Sequence, residues 1–383
     1  MLFIKEEFIS SRVMYEVNNL EYRFKNGEVG IHSMSFKAES GRMIGIMGAS
    51  GAGKSTLLSV LNGSNPPSEG EVLLNGISIH KEKDKIKGHI GYVSQDDLLI
   101  EDLTVFENLY FNARLCFGNI TDEEIREKVD NVLRNLGLYE IRNMKVGSPL
   151  NKKISGGQRK RLNISLELIR EPAVLFLDEP TSGLSSRDSE NILDLLNELA
   201  RKGKLLFIVI HQPSSDIFKM FDKLIILDTG GYLIYNGNPV ESIEYFKKKI
   251  GQPNYSDSVC HSCGNINPEQ IFNIVETKVM TESGKPTDTR RISPDEWREL
   301  YESDKKEEKL DKGGTLPEIT FKPPSKLRQF LIYAKRDILS KLSDSQYLLI
   351  TLFEAPVLAF FLAFLIRYYD ENVKSPEYLL IDN

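Results

Sequence analysis

Residues 48–56 read Gly-Ala-Ser-Gly-Ala-Gly-Lys-Ser-Thr. The stretch contains the pattern Gly-x-x-x-x-Gly-Lys-Ser, in which glycines let backbone amides point at phosphate oxygens while the lysine adds a positive charge. An apolar run, residues 43–47, comes before it, and a helix-like run, residues 56–61, follows. This strand–loop–helix order predicts a phosphate-binding loop at the start of a helix. A glycine-rich turn without a ligand is the alternative.

The ligands expected in this loop are a nucleotide and Mg²⁺. Lys54 is expected to face the phosphates, and the Ser55 hydroxyl suits Mg²⁺, which takes few protein ligands and keeps several waters. The residues of the loop expected to bind the nucleotide are Gly48, Ser50, Gly51, Ala52, Gly53, Lys54, Ser55 and Thr56.

A second buried strand is predicted at residues 173–177, an apolar run that ends in two acids, Asp178 and Glu179. Phosphoryl transfer needs a carboxylate near the metal, and Asp178 is the expected Mg²⁺ ligand. Glu179 points to the other side of an extended chain and is the expected general base for the attacking water. A plain strand end is the alternative, and the following Pro-Thr-Ser-Gly-Leu, residues 180–184, argues against it.

Residues 154–161 read Ile-Ser-Gly-Gly-Gln-Arg-Lys-Arg, which resembles the signature segment of the ATP-binding subunits of ABC transporters. In that family the segment caps the γ-phosphate of the ATP held by the opposite subunit. The resemblance therefore implies two ATP molecules between head-to-tail halves, the partner being a second copy or a paralogous half. The residues that it assigns to the partner's ATP are Ser155, Gly156, Gly157 and Gln158.

The resemblance assigns roles to two further residues. Gln95, in Gly-Tyr-Val-Ser-Gln at residues 91–95, matches the loop that reaches the metal and the water. His211 follows the strand-like run 205–210 and matches the histidine that contacts the γ-phosphate, although a lone histidine after a strand is more often structural. The expected catalytic residues are Lys54, Gln95, Glu179 and His211, and the expected metal ligands are Ser55, Gln95 and Asp178.

Two positions leave a choice open. Phe24 lies where the family's adenine-stacking aromatic belongs, and Tyr22, on the same face of an extended strand, is the alternative. Ser185 replaces the aspartate typical of the loop that links the two ATP sites. Serine can still donate and accept hydrogen bonds, and Asp188 lies three residues on, so ATPase activity with altered coupling is expected.

Within the family, three stretches are similar to the White-type or G subfamily, whose members place the ATPase before the membrane domain. One is Gln-Asp-Asp-Leu-Leu at residues 95–99 with Leu-Thr-Val-Phe-Glu-Asn-Leu at 103–109. The second is His-Gln-Pro-Ser at 211–214, and the third begins with Asn-Pro at 267–276. The resemblance covers about residues 15–370 and implies an exporter.

Composition is typical of a mostly soluble chain, since 40% of its residues are hydrophobic and its mean hydropathy is negative. A net charge of −6, with both signs interspersed, argues against nucleic-acid binding. The first seven residues include acids where a signal peptide has basic and apolar stretches. No export signal is therefore predicted.

Residues 347–366 are apolar except for one charge, Glu354, and are long enough to span a bilayer. Basic residues cluster before this run, which by the positive-inside rule places its N-terminal side in the cytoplasm. They are Lys322, Lys326, Arg328, Lys335, Arg336 and Lys341. The expected location is the cell (inner) membrane, with the ATPase in the cytoplasm. A buried globular helix is the alternative, and Glu354 has either a packing or a substrate-related role.

The chain before this span has two further regions. Residues recurring at helical spacing predict an amphipathic interfacial helix, with Leu327, Phe330, Leu331, Ala334 and Ile338 on its apolar face. The helix resembles the elbow helix of the G subfamily on the cytoplasmic membrane surface, and an ordinary amphipathic helix on a globular domain is the alternative. Residues 302–323 are expected to form a mobile linker, and Ser293-Pro294-Asp295-Glu296 has the form of a helix start. Cys260 and Cys263 have the spacing of half a zinc site, but no second pair exists, so free thiols are favoured.

The fold class expected is α/β: a P-loop NTPase core with an antiparallel lead-in sheet and a helical subdomain. Its boundaries are 15–250 for the ATP-binding domain, 251–322 for an extension and linker, 323–345 for the elbow and 346–369 for a transmembrane helix. The expected function is ATP hydrolysis driving transport. One span cannot form a pathway, so the chain is either a truncated piece or a subunit that recruits further transmembrane segments. The alternatives are a soluble ABC-type ATPase acting as a mechanical switch on ribosomes or DNA, and an ATP-binding module without transport.

Overall fold

The computed structural model describes residues 12–148, 151–252, 264–281, 285–305, 314–318 and 321–365. The strands in these ranges are β1 (Met14–Arg23), β2 (Val29–Glu39), β3 (Met43–Gly48), β4 (Glu69–Leu74), β5 (Ile77–Ser78), β6 (Ile90–Val93), β7 (Val174–Asp178), β8 (Leu205–Val209), β9 (Lys223–Asp228), β10 (Tyr232–Gly237), β11 (Lys278–Met280) and β12 (Pro286–Arg290). The helices are α1 (Lys54–Leu61), α2 (Lys83–Ile86), α3 (Val105–Cys116), α4 (Asp122–Asn135), α5 (Gly156–Leu168), α6 (Ser186–Arg201), α7 (Ser215–Lys219), α8 (Pro239–Lys249), α9 (Glu269–Val275), α10 (Pro294–Asp304), α11 (Lys326–Ser343) and α12 (Ser345–Leu365).

The central sheet has the strand order β10-β9-β3-β8-β7-β6. All of its neighbours pair in parallel except β10, which pairs antiparallel with β9. Strands β3 and β8 are buried along their whole length, which explains why their sequences are continuous apolar runs rather than alternating ones. Because the strands are parallel, the loops after β3, β6, β7 and β8 leave the same edge of the sheet.

The lead-in sheet has the order β2-β1-β4-β5 and is antiparallel throughout. Helix α1 lies in the same apolar cluster as this sheet and the central sheet, through Leu57, Leu58 and Leu61. Tyr15 of β1 packs with its ring against Phe176 of β7 and Phe207 of β8. The predicted α/β core with an antiparallel lead-in sheet is therefore present.

Helices α3, α4 and α5 form the helical subdomain, and each begins with a capping box. Thr104, Thr121 and Ser155 are the N-caps, and each exchanges hydrogen bonds with a glutamate or glutamine three residues later. A capping box satisfies two backbone donors at a helix start, so these boundaries are encoded locally.

The described residues of the extension after residue 251 include more regular structure than the sequence predicts. Ser293 caps α10 with Glu296 as its capping-box partner, which confirms the predicted helix start. The expectation of a mobile linker over 302–323 is wrong at both ends: α10 continues to Asp304, and Gly118 donates to the Lys322 carbonyl at 2.7 Å. Trp297 and Tyr301 are buried, so the charges of this helix lie on its outer face while its aromatic face packs on the core.

Helix α11 corresponds to the predicted elbow and packs against α3. The face that packs is marked by Ile332, which is buried, whereas Leu327, Phe330 and Ile338 of the predicted apolar face are exposed. Within α12, the segment Gln346–Leu365 is long and apolar enough to cross a membrane, with a mean hydropathy of 2.3. Glu354 lies in this helix, and Cys260 and Cys263 lie outside the described residues.

Candidate functional site

The loop between β3 and α1 needs glycine at Gly53. Its φ of +83° is in the left-handed region, and a Cβ there would lie 2.9 Å from the Gly30 carbonyl oxygen. Both constraints favour a residue without a side chain. Gly53 precedes Lys54, so this conformation lets α1 start with its free amides at the loop.

Lys54 is folded onto the loop that contains it. Its side chain is only 8% exposed, and Nζ donates to the carbonyl oxygens of Gly48 at 2.8 Å and Ala49 at 2.9 Å. Burial lowers the pKa of Lys54, while the nearby charges of Glu179 and Asp178 oppose that shift. The ammonium group therefore lies between the loop and the two acids. Ser50, Gly51 and Ser55 are exposed, Ala52 is buried and Thr56 is half-buried.

The two acids lie at the end of β7: Asp178 is its last residue, and Glu179 is the first residue after it. Glu179 has a φ of +43°, so the backbone turns out of the strand just after Asp178. Burial raises the pKa of Asp178, and the neighbouring charge of Glu179 raises it further, while Lys160 and Lys54 oppose both effects. Two acids with this partial burial form a site where a cation would be stabilised.

Gln95 lies beside the acids, at the end of β6. Its Nε2 donates to Oε2 of Glu179 at 3.2 Å, although the two residues are 84 positions apart in the chain. His211 is exposed and follows β8, two positions beyond its last residue. The structure thus places Lys54, Gln95 and Glu179 together, and it places His211 at the same edge of the sheet.

The oxygen donors at this edge fit a magnesium ion. Ser55 offers an exposed hydroxyl, Asp178 a carboxylate and Gln95 an amide oxygen, and Mg²⁺ prefers oxygen ligands in small number. Asp178 is partly buried beside the charge of Glu179, so a cation bound there would offset the cost of holding both carboxylates ionised.

The signature segment opens α5. Ser155 is the N-cap: its hydroxyl accepts from the Gln158 amide at 3.1 Å, and the Gln158 side-chain oxygen accepts from the Ser155 amide at 2.9 Å. Gly156 is half-buried and Gly157 is buried. Ser155 is exposed, so the start of this helix is accessible to a group outside the subunit.

The aromatic position lies close to the phosphate-binding loop. Phe24 is 43% exposed and follows the end of β1, and its ring meets Tyr22 at 5.4 Å between centroids, nearly perpendicular. A Cβ on Gly30 would lie 2.6 Å from the Phe24 ring, and Gly30 in turn lies against Gly53. Tyr22 is half-buried and packs on the core, whereas Phe24 presents a face to solvent.

Ser185 is the N-cap of α6. Its hydroxyl accepts from the Asp188 amide at 3.2 Å and donates to the Asp188 carboxylate at 2.8 Å. Serine and aspartate are both good N-caps, so the substitution keeps the helix start. It removes the negative charge that an aspartate would carry at this position.

Sequence reasoning missed several residues around the site. Lys160 donates to the Gln95 carbonyl, Arg159 binds Asp97 through two nitrogens, and the Tyr92 amide donates to the Glu167 carboxylate. The burial of Lys160 could have been predicted from the sequence, because Lys160 lies at helical spacing from Gly157 and Ile164, which are also buried. The run Arg159-Lys160-Arg161 is interpreted from the sequence only as part of the signature segment.

Comparisons with known proteins agree with this geometry. A family model described as "ABC transporter" matches residues 31–182, and one described as "ABC-2 type transporter" matches residues 211–292. Among solved structures, cbiO1 from Clostridium perfringens, part of an ABC transporter complex, has a TM-score of 0.54 and 29% identity. That match covers 62% of this chain and 95% of the other.

Curated relatives include ABC transporter G family member 28 from Arabidopsis thaliana, 41% identical over 219 residues. The broad substrate specificity ATP-binding cassette transporter ABCG2 of Mus musculus is 41% identical over 204 residues. These matches cover 56% and 52% of this chain, but only 19% and 30% of the respective relatives. By its phosphate-binding loop, signature segment and these matches, the chain has an ABC transporter ATP-binding domain that precedes a segment of the ABC-2 type transporter family, and it is similar to G-family ABC transporters.

Proposed function

We propose that the chain is the nucleotide-binding part of a transporter, and that it hydrolyses ATP to ADP and phosphate to drive transport across a membrane. The observation that carries this is the convergence of Lys54, Gln95, Asp178 and Glu179 at one edge of the central sheet. ATP hydrolysis needs a cation site, a phosphate site and a base for water, and these residues offer all three.

The phosphates would be bound by the loop between β3 and α1 and by its lysine, Lys54. On ATP binding, Lys54 would exchange its two carbonyl acceptors for phosphate oxygens, which are stronger partners because both groups are charged. The amides of residues 50–56 and the start of α1 would surround the β- and γ-phosphates. Phe24 would stack on the adenine, since its exposed ring is next to the loop.

The two acids and Gln95 would bind the metal and orient the attacking water. Ser55, Asp178 and Gln95 would hold Mg²⁺, which would supply positive charge to the phosphates. Glu179 would accept the proton of the attacking water, and its contact with Gln95 orients the carboxylate. His211 would contact the γ-phosphate from the end of β8.

The partner completes each site. Ser155, Gly156, Gly157 and Gln158 would cap the ATP held by the opposite half, in a head-to-tail dimer of two copies or of this chain and a paralogous half. The exposed start of α5 supports this, because a helix N-terminus favours a negative group. No nucleic-acid role is proposed.

The membrane side begins after the ATP-binding domain. We infer domains at 15–250, 251–322, 323–345 and 346–369, the last being a transmembrane helix in the cell (inner) membrane with the ATPase in the cytoplasm. The exposed apolar residues of α11 support an elbow that lies on the membrane surface, and further transmembrane segments or subunits would form the pathway.

The test is hydrolysis by the full chain in detergent or nanodiscs. Glu179→Gln should keep ATP affinity and lose about 10²–10⁴-fold in kcat, the usual contribution of a general base. Lys54→Ala should instead lose ATP affinity. Phosphate release and binding of a fluorescent ATP analogue separate the two effects.

The matched control is Glu198→Gln, the same substitution at an exposed position of α6. It should leave both measurements unchanged. Hydrolysis that continues at the unaltered rate in Glu179→Gln would remove Glu179 as the base, and absence of hydrolysis in the unaltered chain would refute the proposed activity.

A further inference from the structure

Lys160 is a buried lysine inside the signature helix. It is only 8% exposed, although it lies between two arginines in the sequence. Its Nζ donates to the backbone carbonyl of Gln95 at 2.9 Å. Burying an ammonium group is costly unless it is paired and hydrogen-bonded, so a specific set of partners is needed at this position.

The acids around Lys160 come from the loop after β6 and from the end of β7. Burial lowers the pKa of Lys160, while the charges of Asp97, Asp178, Asp96 and Glu179 favour its protonated form. The ammonium group is therefore bound to the loop after β6 and lies within the electrostatic influence of the two acids at the end of β7. It is one of the points at which α5 contacts the loop after β6, together with Arg159 and Asn163.

A continuous series of contacts runs through it. Gln95 Nε2 binds Glu179 at 3.2 Å, the Gln95 carbonyl binds Lys160 at 2.9 Å, and Lys160 belongs to the helix that Ser155 caps. A second attachment lies beside it, because Arg159 binds the Asp97 carboxylate with two nitrogens and the Gly147 carbonyl at 2.6 Å. The loop after β6 is thus held to the start of α5 at two adjacent residues.

We propose that Lys160 is a positioning residue that couples the two ATP sites. A shift of Gln95 on its own nucleotide would be transmitted through the Lys160 ammonium to α5, and so to Ser155 and Gly157 at the partner's nucleotide. This rests on the proposed head-to-tail dimer. Coupling through Lys160 is expected to contribute more in this chain, because Ser185 lacks the charge that an aspartate would bring to the loop between the two ATP sites.

The test compares Lys160→Met, which keeps the length of the side chain but removes the charge and the donors, with Lys160→Arg, which keeps both. The full chain is assayed for kcat, KM and the Hill coefficient of ATP hydrolysis. In a Glu179→Gln background, ATP-driven dimerisation and single-subunit ATP affinity are measured as well. Lys202→Met, at the exposed residue that caps the C-terminus of α6, is the matched control.

We expect Lys160→Met to retain single-subunit ATP affinity, to lower the Hill coefficient to one, and to weaken ATP-driven dimerisation about tenfold, within the range of typical coupling between sites. Lys160→Arg should recover part of the loss, and Lys202→Met should change nothing. A lower kcat with unchanged KM separates this role from a loss of nucleotide binding.

Three results would overturn it. Unchanged cooperativity and dimerisation in Lys160→Met would reject the coupling while leaving the proposed ATPase intact. A parallel loss of ATP affinity and thermal stability would show a structural lysine only. A wild-type chain that hydrolyses ATP as a monomer would reject the dimer itself, and the coupling with it.

Discussion

At the scale of single residues, Tyr22 and Phe24 are expected to have different roles: Tyr22 packs on the core, and Phe24 binds the adenine. Phe24→Ala should weaken ATP binding by about 1–3 kcal/mol, the usual worth of one base stacked on an aromatic ring. Titration with a fluorescent ATP analogue measures the affinity. Phe24 is the more exposed ring and lies against Gly30, which contacts the phosphate-binding loop.

Tyr22→Ala is the matched comparison, and it should lower thermal stability rather than affinity because Tyr22 packs on the core. A larger loss of affinity in Tyr22→Ala than in Phe24→Ala would transfer the adenine-stacking role to Tyr22.

A buried ion pair ties the extension to the ATP-binding core. Asp228, at the end of β9, is almost fully buried, and Arg290 of β12 donates to its carboxylate at 2.7 Å. The Thr229 amide donates to the same oxygen. Arg290→Met should lower the free energy of unfolding by about 3 kcal/mol, because removing one partner leaves a buried charge without its counter-ion.

Thermal or urea unfolding of the full chain measures this loss. Lys202→Met breaks an exposed pair with Glu198 and should cost no more than about 0.5 kcal/mol. If Arg290→Met is as stable as the Lys202→Met control, the pair does not hold the extension in place.

At the scale of elements, α12 decides whether the chain enters a bilayer. Replacing Leu358 and Leu362 with Arg should add about 2.5–3.5 kcal/mol each to the cost of insertion. The full chain should remain with membranes after carbonate extraction, and the double variant should be extracted. Leu358→Ala with Leu362→Ala is the control that keeps an apolar helix. Full-length protein wholly in the soluble fraction would contradict a transmembrane α12.

At the scale of the whole molecule, ATP should bring two ATP-binding domains together. Ser155 and Gly157 are proposed to act on a partner's nucleotide, so the Glu179→Gln chain should become dimeric with Mg-ATP and return to its initial state when EDTA removes the metal. Light scattering of the detergent-solubilised chain measures the mass. A chain that hydrolyses ATP while staying monomeric at high concentration would rule out the trans site.

Much of this protein was readable from sequence because the signals are local. The phosphate-binding loop, the acids after β7, the signature segment and the capping box at Ser293 each occupy a few consecutive residues. Their chemistry requires particular residue types at fixed spacing, so pattern alone predicts them. The expected ABC-type ATPase fold and family are confirmed by the comparisons. The roles of individual site residues stay predictions.

The tertiary structure alone decided which distant residues meet. The contact of Lys160 with Gln95 spans 65 positions, and the pair of Arg290 with Asp228 spans 62. It also decided that Ile332, rather than Leu327, lies on the packed face of α11. Helical spacing shows that a helix has two faces but not which one a neighbour covers, and a charged side chain reads as solvated until another element brings its counter-charge. Such partners are set by sheet order and helix packing, which no short stretch of sequence contains.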